Sequence, residues 1–373
     1  MRQLFARILA GLTAALAALA LGAPAQAETP KDTFVMAKDF ADIITLDPAE
    51  VFEFSGGEII ANLYDRLMMF EPEDLTTLVG GVAESWEVGE DGKTITFTIR
   101  PDQVFASGNP VTADDVVFSL RRVVKLSKTP SFIFTQFGWT PENVDDLVTV
   151  EGDKAKITIT EEFSPALVLN ALSAGVASIV DKKEVMAHEV DGDMGYDWLK
   201  THSAGSGPFV LNAWKANELI SMTANPDYRH GAPAMKRVIV RHVPEPSAQR
   251  LLVENGDVDI ARNLTPDQIE GIASEEGMTV QADPKAALIY LAANADHPIL
   301  GNPKVGEALR YLVDYQGMAA SFLKGQFQVH QAAWPEGLWG LTTRRHSIST
   351  SRRPRPCSPR RAIRTDSKSG STR

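Results

Sequence analysis

Between residues 94 and 124 the hydrophobic period of the chain switches from two to 3.6, which demands a strand and a helix in close succession. Thr94-Ile95-Thr96-Phe97-Thr98-Ile99 alternates polar and apolar residues directly after Asp91-Gly92. A period of two puts Ile95, Phe97 and Ile99 on one face of a strand, and Asp-Gly is a hairpin turn. Segments 86–88 and 94–100 are therefore expected to pair. Thr112 followed three residues later by Asp115 is a capping box, and Val116, Val117, Leu120, Val123 and Val124 then recur at helical spacing. A second hairpin is expected at 147–150 and 155–160 around Glu151-Gly152-Asp153. Further strands are expected at 219–223 and 238–243. Helices are expected at 248–254, stopped by Asn255-Gly256, and at 305–312. The chain is mixed α and β.

Composition removes several classes. With 373 residues, 44% of them hydrophobic, the chain can bury a large core in roughly two domains. A single cysteine, Cys357, allows no internal disulfide and no cysteine metal cage. Charge is divided along the chain. Residues 28–340 carry a net −22 and residues 341–373 a net +9, and with Arg2 and Arg7 at the start the chain carries −11 overall. A body that acidic does not suit nucleic acid or an anionic membrane. At the start, Arg2 and Arg7 precede an uncharged Ala/Leu run and Ala25-Gln26-Ala27. This reads as a secretory signal over 1–27, with a mature periplasmic protein from Glu28.

Catalytic and metal signatures are weak. The seven histidines include no His-Glu-x-x-His pair, and no glycine-rich loop is suited to phosphate. Gly205-Ser206-Gly207 holds part of a nucleophile elbow. Pro208 follows, against the turn-to-helix geometry that motif needs. An exported serine hydrolase using Ser206 is thus an alternative of low standing, and neither an enzyme activity nor a cofactor is expected. Aromatic residues cluster at Phe52-Glu53-Phe54 and at Phe132, Phe134 and Phe137. Core packing and the wall of a ligand cleft both call for such clusters.

An ordered series of motifs narrows the choice. Thr45-Leu46-Asp47-Pro48-Ala49, Asn62-Leu63-Tyr64-Asp65-Arg66-Leu67 and Val82-Ala83-Glu84-Ser85-Trp86 are followed by the Asp91–Pro101 hairpin. Pro110-Val111-Thr112-Ala113-Asp114-Asp115, Gly205-Ser206-Gly207-Pro208-Phe209, Asn225-Pro226-Asp227-Tyr228 and Asn255-Gly256-Asp257-Val258-Asp259 come next. The series, from about residue 33 to Gly340, resembles the periplasmic oligopeptide/dipeptide-binding family of ABC importers. Two segments depart from the usual pattern. Phe105-Ala106-Ser107-Gly108-Asn109 stands where Phe-His-Asp-Gly is common, and Tyr228-Arg229 where Tyr-Trp is.

The resemblance implies an α/β, two-lobed periplasmic-binding-protein-like fold with an inserted subdomain in the first lobe and an incomplete second lobe. Residues 28–60 and 201–284 would form the first lobe, 61–200 the insert, and 285–340 the start of the second lobe. It also implies capture of a peptide or similar small solute, inner-membrane permease subunits as partners, no nucleic acid, and a monomer. Cleft residues are expected to be Phe52, Glu53, Phe54, Phe132, Phe134, Arg262 and Asn263. Glu53 would meet the solute's amine and Arg262 its carboxylate. With no cluster of histidine or cysteine, peptides are expected to bind and nickel is not.

Residues 341–373 read as a basic, disordered tail. Shifted by one base, the codons of 356–359 permit Leu-Leu-Ala, and those of 361–366 permit Gly-Tyr-Pro-Asp-Gly, a pattern the family carries on its next helix and turn. The expectation is a frameshifted continuation, and the rival is a basic arm for an acidic partner. A frameshift would leave the cleft with one wall and make the chain a non-functional truncated product.

Overall fold

The structure is a computed structural model and describes residues 29–71, 74–283, 285, 287–332 and 335. The expected signal segment and the basic tail lie outside the described residues. The chain divides into two compact units, residues 1–264 and 265–373.

The first unit is built on two sheets and a hairpin. A five-stranded sheet has the order β11-β1-β10-β9-β8, from β1 (Thr33–Lys38), β8 (Phe209–Lys215), β9 (Leu219–Ala224), β10 (Arg237–His242) and β11 (Ile260–Ala261). β1 runs parallel to both β10 and β11, and β8, β9 and β10 form an antiparallel meander. Parallel neighbours need a crossover. The connection from β10 to β11, the two strands that flank β1, contains the helix Pro246–Glu254. It begins two residues before the sequence pattern indicates, because Pro246 is preorganised for the first helical turn. The alternation in β1 sends Val35 and Ala37 into a small core with Val258, Leu252 and Val253. Phe34, Met36 and Lys38 point to the opposite face.

The second sheet has the order β4-β5-β7-β6, from β4 (Ala83–Val88), β5 (Thr94–Ile99), β6 (Val148–Glu151) and β7 (Lys154–Thr158). The expected hairpin is present, with Trp86 opposite Phe97 and Val88 opposite Ile95. Asp91 accepts from the backbone N–H groups of Lys93 and Thr94, and Gly92 takes φ +64°. Those bonds hold the Asp91 carboxyl below its ordinary value. Ile95, Phe97 and Ile99 are buried beneath the helix Ala113–Leu126, together with Val116, Leu120 and Val124. Thr112 begins that helix with both capping-box bonds formed. β2 (Met68–Glu71) and β3 (Asp74–Gly80) make the separate hairpin.

The motif glycines follow from close packing. The 205–207 segment lies against the end of the helix Phe54–Leu63, where the Gly207 N–H donates to Leu63 O at 3.1 Å. A Cβ on Gly207 would fall 2.6 Å from the Leu63 carbonyl carbon. The departures noted in the sequence also have partners. Asn109 Nδ2 donates to Asp181 Oδ2 at 2.7 Å, and Asp181 Oδ1 caps the helix Lys182–Ala187 through the Glu184 N–H. Arg229 Nε lies 3.9 Å from the buried Asp65 carboxylate.

The second unit, described by itself, contains the helices Pro266–Ile272, Pro303–Leu312 and Tyr315–Ala320. Asn302 caps the second of these, which carries no buried residue, and Tyr311 and Leu312 are exposed. Ile289, Tyr290 and Leu291 are exposed as well.

Candidate functional site

The Leu-Asp-Pro motif earns its place through one buried ion pair. Arg122 Nη1 and Nη2 donate to Asp47 Oδ1 and Oδ2 at 2.8 and 2.6 Å, with both side chains almost fully enclosed. A planar guanidinium matches a carboxylate in this two-pronged way. Arg122 Nε also donates to Met194 O at 2.8 Å. One side chain on the helix Ala113–Leu126 thus fixes both the 45–51 loop and the turn before Tyr196. Leu46 N–H completes the junction by donating to Lys200 O at 3.0 Å.

The loop so held delivers Phe52, Glu53 and Phe54 at the start of the helix Phe54–Leu63. Phe52 is 56% exposed and Phe54 85%. Phe132, 53% exposed, comes from the short helix Phe132–Thr135 and meets Phe52 edge to ring, centroids 5.7 Å apart. Two large apolar side chains from distant segments are therefore in contact with each other and with solvent. Glu53 lies beside them, with Phe52 N–H donating to its Oε2 at 3.2 Å.

Phe134 corrects the sequence-based expectation. It is fully buried, packed 5.6 Å from the Trp139 ring in the core of the four-stranded sheet. Residues two apart on a helix are separated by about 200° around its axis, so Phe132 and Phe134 face opposite ways. Phe137 is in the same core.

Arg262 and Asn263 have partners of their own. Arg262 Nη1 donates to Glu58 Oε1 at 2.6 Å, and Lys38 Nζ donates to Glu58 Oε2 at 2.7 Å. Burial raises the Glu58 pKa, but the two cations outweigh it and the net shift is downward. Asn263 Oδ1 accepts from Asp39 N–H at 2.9 Å. This cluster flanks a cavity of about 270 Å³ on the five-stranded sheet, lined by Phe34, Met36, Met222, Met235 and Val238. The carboxylate role expected of Arg262 thus falls on a side chain already paired.

The segments that carry the aromatic pair also bring together a group that the sequence reading missed. Glu50, two residues before Phe52, accepts from Tyr196 Oη at 2.6 Å and lies 4.0 Å from Lys128 Nζ. Lys128 and Lys200 place their ammonium groups 4.1 and 4.2 Å from the centre of the Tyr196 ring. Tyr196 raises the Lys128 pKa, with Glu50 in support. Tyr196 is 146 residues from Glu50, a separation at which spacing gives no signal. The nearest clue is the position of Lys128, four residues before Phe132.

Ser206 is 1% exposed. Its hydroxyl donates to Asp65 Oδ2 at 3.0 Å and accepts from Gln103 Nε2 at 3.2 Å. Burial raises the Asp65 pKa, against the opposing pull of Arg229 and Ser206. This is a buried polar clasp between loops, and it leaves the serine no exposed hydroxyl for a substrate.

The comparisons agree with this architecture. The family model for bacterial extracellular solute-binding proteins, family 5 Middle, matches residues 77–347. The chain belongs to that family. It is 32% identical over 321 residues to the probable D,D-dipeptide-binding periplasmic protein DdpA of Escherichia coli K12, covering 85% of this chain and 60% of that protein. It is 26% identical to the probable di/tripeptide-binding protein 5 of Pseudomonas aeruginosa, covering 89% and 64%. Among solved structures, the periplasmic binding protein DppA of Helicobacter pylori in complex with the peptide STSA superposes with a TM-score of 0.70. The sequence identity there is 22%, and the match covers 83% of this chain and 62% of that one. The fold is the α/β fold of these binding proteins. The chain spans about 60% of the length of the relatives it matches, and the family match ends seven residues past Gly340.

Proposed function

We propose that this family member is the solute-capturing component of an ABC importer, working in the periplasm with inner-membrane permease subunits and taking short peptides. The observation that carries the reading is the solvent-facing Phe52–Phe132 pair, fixed by the buried Asp47–Arg122 bridge. Binding sites combine apolar walls with a few placed polar groups, and Glu53 and Glu50 stand within two residues of Phe52 on the same loop. Relatives named as dipeptide- and di/tripeptide-binding support a peptide as the solute, and those named periplasmic support the compartment. Among the described residues no helix is long and apolar enough to cross a membrane. In this reading residues 28–60 and 201–284 form the first lobe, 61–200 its inserted subdomain, and 285–340 the start of the second. Phe52, Glu53, Phe54 and Phe132 face the solute.

Calorimetry with a mixed-sequence pool of dipeptides and tripeptides, and separately with nickel, tests the proposal. Peptide binding that is lost in the Phe52→Ala/Phe132→Ala variant is the expected result. Sub-micromolar nickel binding with inert peptides would refute it.

A further inference from the structure

Arg262 is paired with Glu58, so a solute carboxylate has to find its cation elsewhere if it is to be recognised on this unit. The aromatic pair leads to one. Phe52 follows Glu50 by two residues on the loop, and Phe132 follows Lys128 by four in the segment after the helix Ala113–Leu126. The same two segments that bring the rings to 5.7 Å bring Glu50 and Lys128 to 4.0 Å. Tyr196 closes the arrangement from a third segment. Its hydroxyl donates to Glu50, and its ring packs under Lys128 and Lys200.

We propose that Lys128, held over the Tyr196 ring beside Phe52 and Phe132, is the anchor for the carboxylate of a bound peptide, whose terminal side chain lies on the two phenylalanines. The assignment rests on the peptide-binding reading above. Three observations favour Lys128 over its neighbours. Its nearest acid, Glu50, is at 4.0 Å and is already engaged by the Tyr196 hydroxyl, whereas Lys200 has Asp197 at 2.7 Å. Its side chain is one-third exposed, open to solvent and still restrained by the ring. Of the two lysines over the Tyr196 ring, it is the one on the segment that carries the exposed Phe132. An ammonium confined over an aromatic face keeps its charge and loses little freedom on meeting a carboxylate. The Tyr196 contact that raises the Lys128 pKa works in the same direction.

The test compares two probes on three proteins. The probes are a mixed-sequence dipeptide pool with free C-termini and the same pool as C-terminal amides. The proteins are the full chain, Lys128→Gln and Lys128→Arg. The full chain should prefer the free acids by about tenfold, the scale of one charge-assisted hydrogen bond. Lys128→Gln should lose the preference for free acids over amides, while Lys128→Arg keeps most of it. An acid preference that survives in Lys128→Gln overturns the assignment. So does equal binding of acids and amides by the unaltered chain, an outcome that leaves the peptide reading standing. If the unaltered chain binds neither pool, the peptide reading fails and this assignment fails with it.

Discussion

The 45–52 loop and the helix Ala113–Leu126 with its extension meet at two successive ion pairs, and the two have opposite characters. Asp47–Arg122 is enclosed, two-pronged and shared with a backbone carbonyl. Glu50–Lys128, three residues on along the loop and six along the other strand of chain, is long, partly exposed and leans on an aromatic ring. Burial decides which pair is structural. Taking a charge out of water costs several kcal/mol, so a buried pair must be fully matched, and losing one partner is severe. An exposed pair contributes about 0–1 kcal/mol and can exchange its partner for a ligand at little expense. The inner pair fixes the frame, and the outer pair is the one proposed to meet the solute. Phe134 and Phe132 repeat the contrast one layer over, the first in the core and the second at the surface.

The largest effect is expected at the inner pair. Arg122→Met leaves Asp47 buried without its partner and frees Met194 O, and should cost about 3–5 kcal/mol in a denaturant-unfolding measurement. Asp47→Leu/Arg122→Met should recover part of that loss, because the stranded charge is gone. The paired phenylalanines come next. Phe134→Ala should cost about 3–4 kcal/mol through the cavity it leaves, whereas Phe132→Ala should fall within about 1 kcal/mol of the parent and act on binding instead.

A smaller effect is expected at Glu58, where the downward pKa shift fixes the sign. A carboxylate held below its ordinary value of 4.5 contributes stability above that value and loses it as the pH falls through the folded one. Glu58→Gln should therefore melt below the parent at pH 7, by an equivalent of about 1 kcal/mol. The gap should close as the pH drops below 4.5. A gap that is constant with pH would show that the side chain acts by packing and not by charge. The smallest effect belongs to the outer pair, where Lys128→Gln should change stability by less than about 0.5 kcal/mol. A large loss there would erase the distinction between the two pairs.

Much of the frame can be read from the sequence. The hairpin at Asp91-Gly92 and the capped helix after Thr112 are local devices, specified by residues a few positions apart, and both form as expected. The Leu-Asp-Pro motif is visible, but its purpose is not, since Asp47 meets Arg122 across 75 positions. At the site, exposure divides residues that look alike in sequence. Phe132 and Phe134 look equally suited to a cleft until the helical turn between them is known. Arg262 looks like a free cation until Glu58 is placed against it. The group around Tyr196 joins three segments that no motif connects.

The most direct test of the central claim is to find where a peptide lands. Dipeptides carrying a benzophenone side chain, irradiated with the full chain and mapped by mass spectrometry, should label segments 44–54 and 128–137. Excess unlabelled peptide should suppress that labelling. Competable adducts confined to Met36, Met222 and Met235 would contradict the account and move the solute to the cavity of the five-stranded sheet.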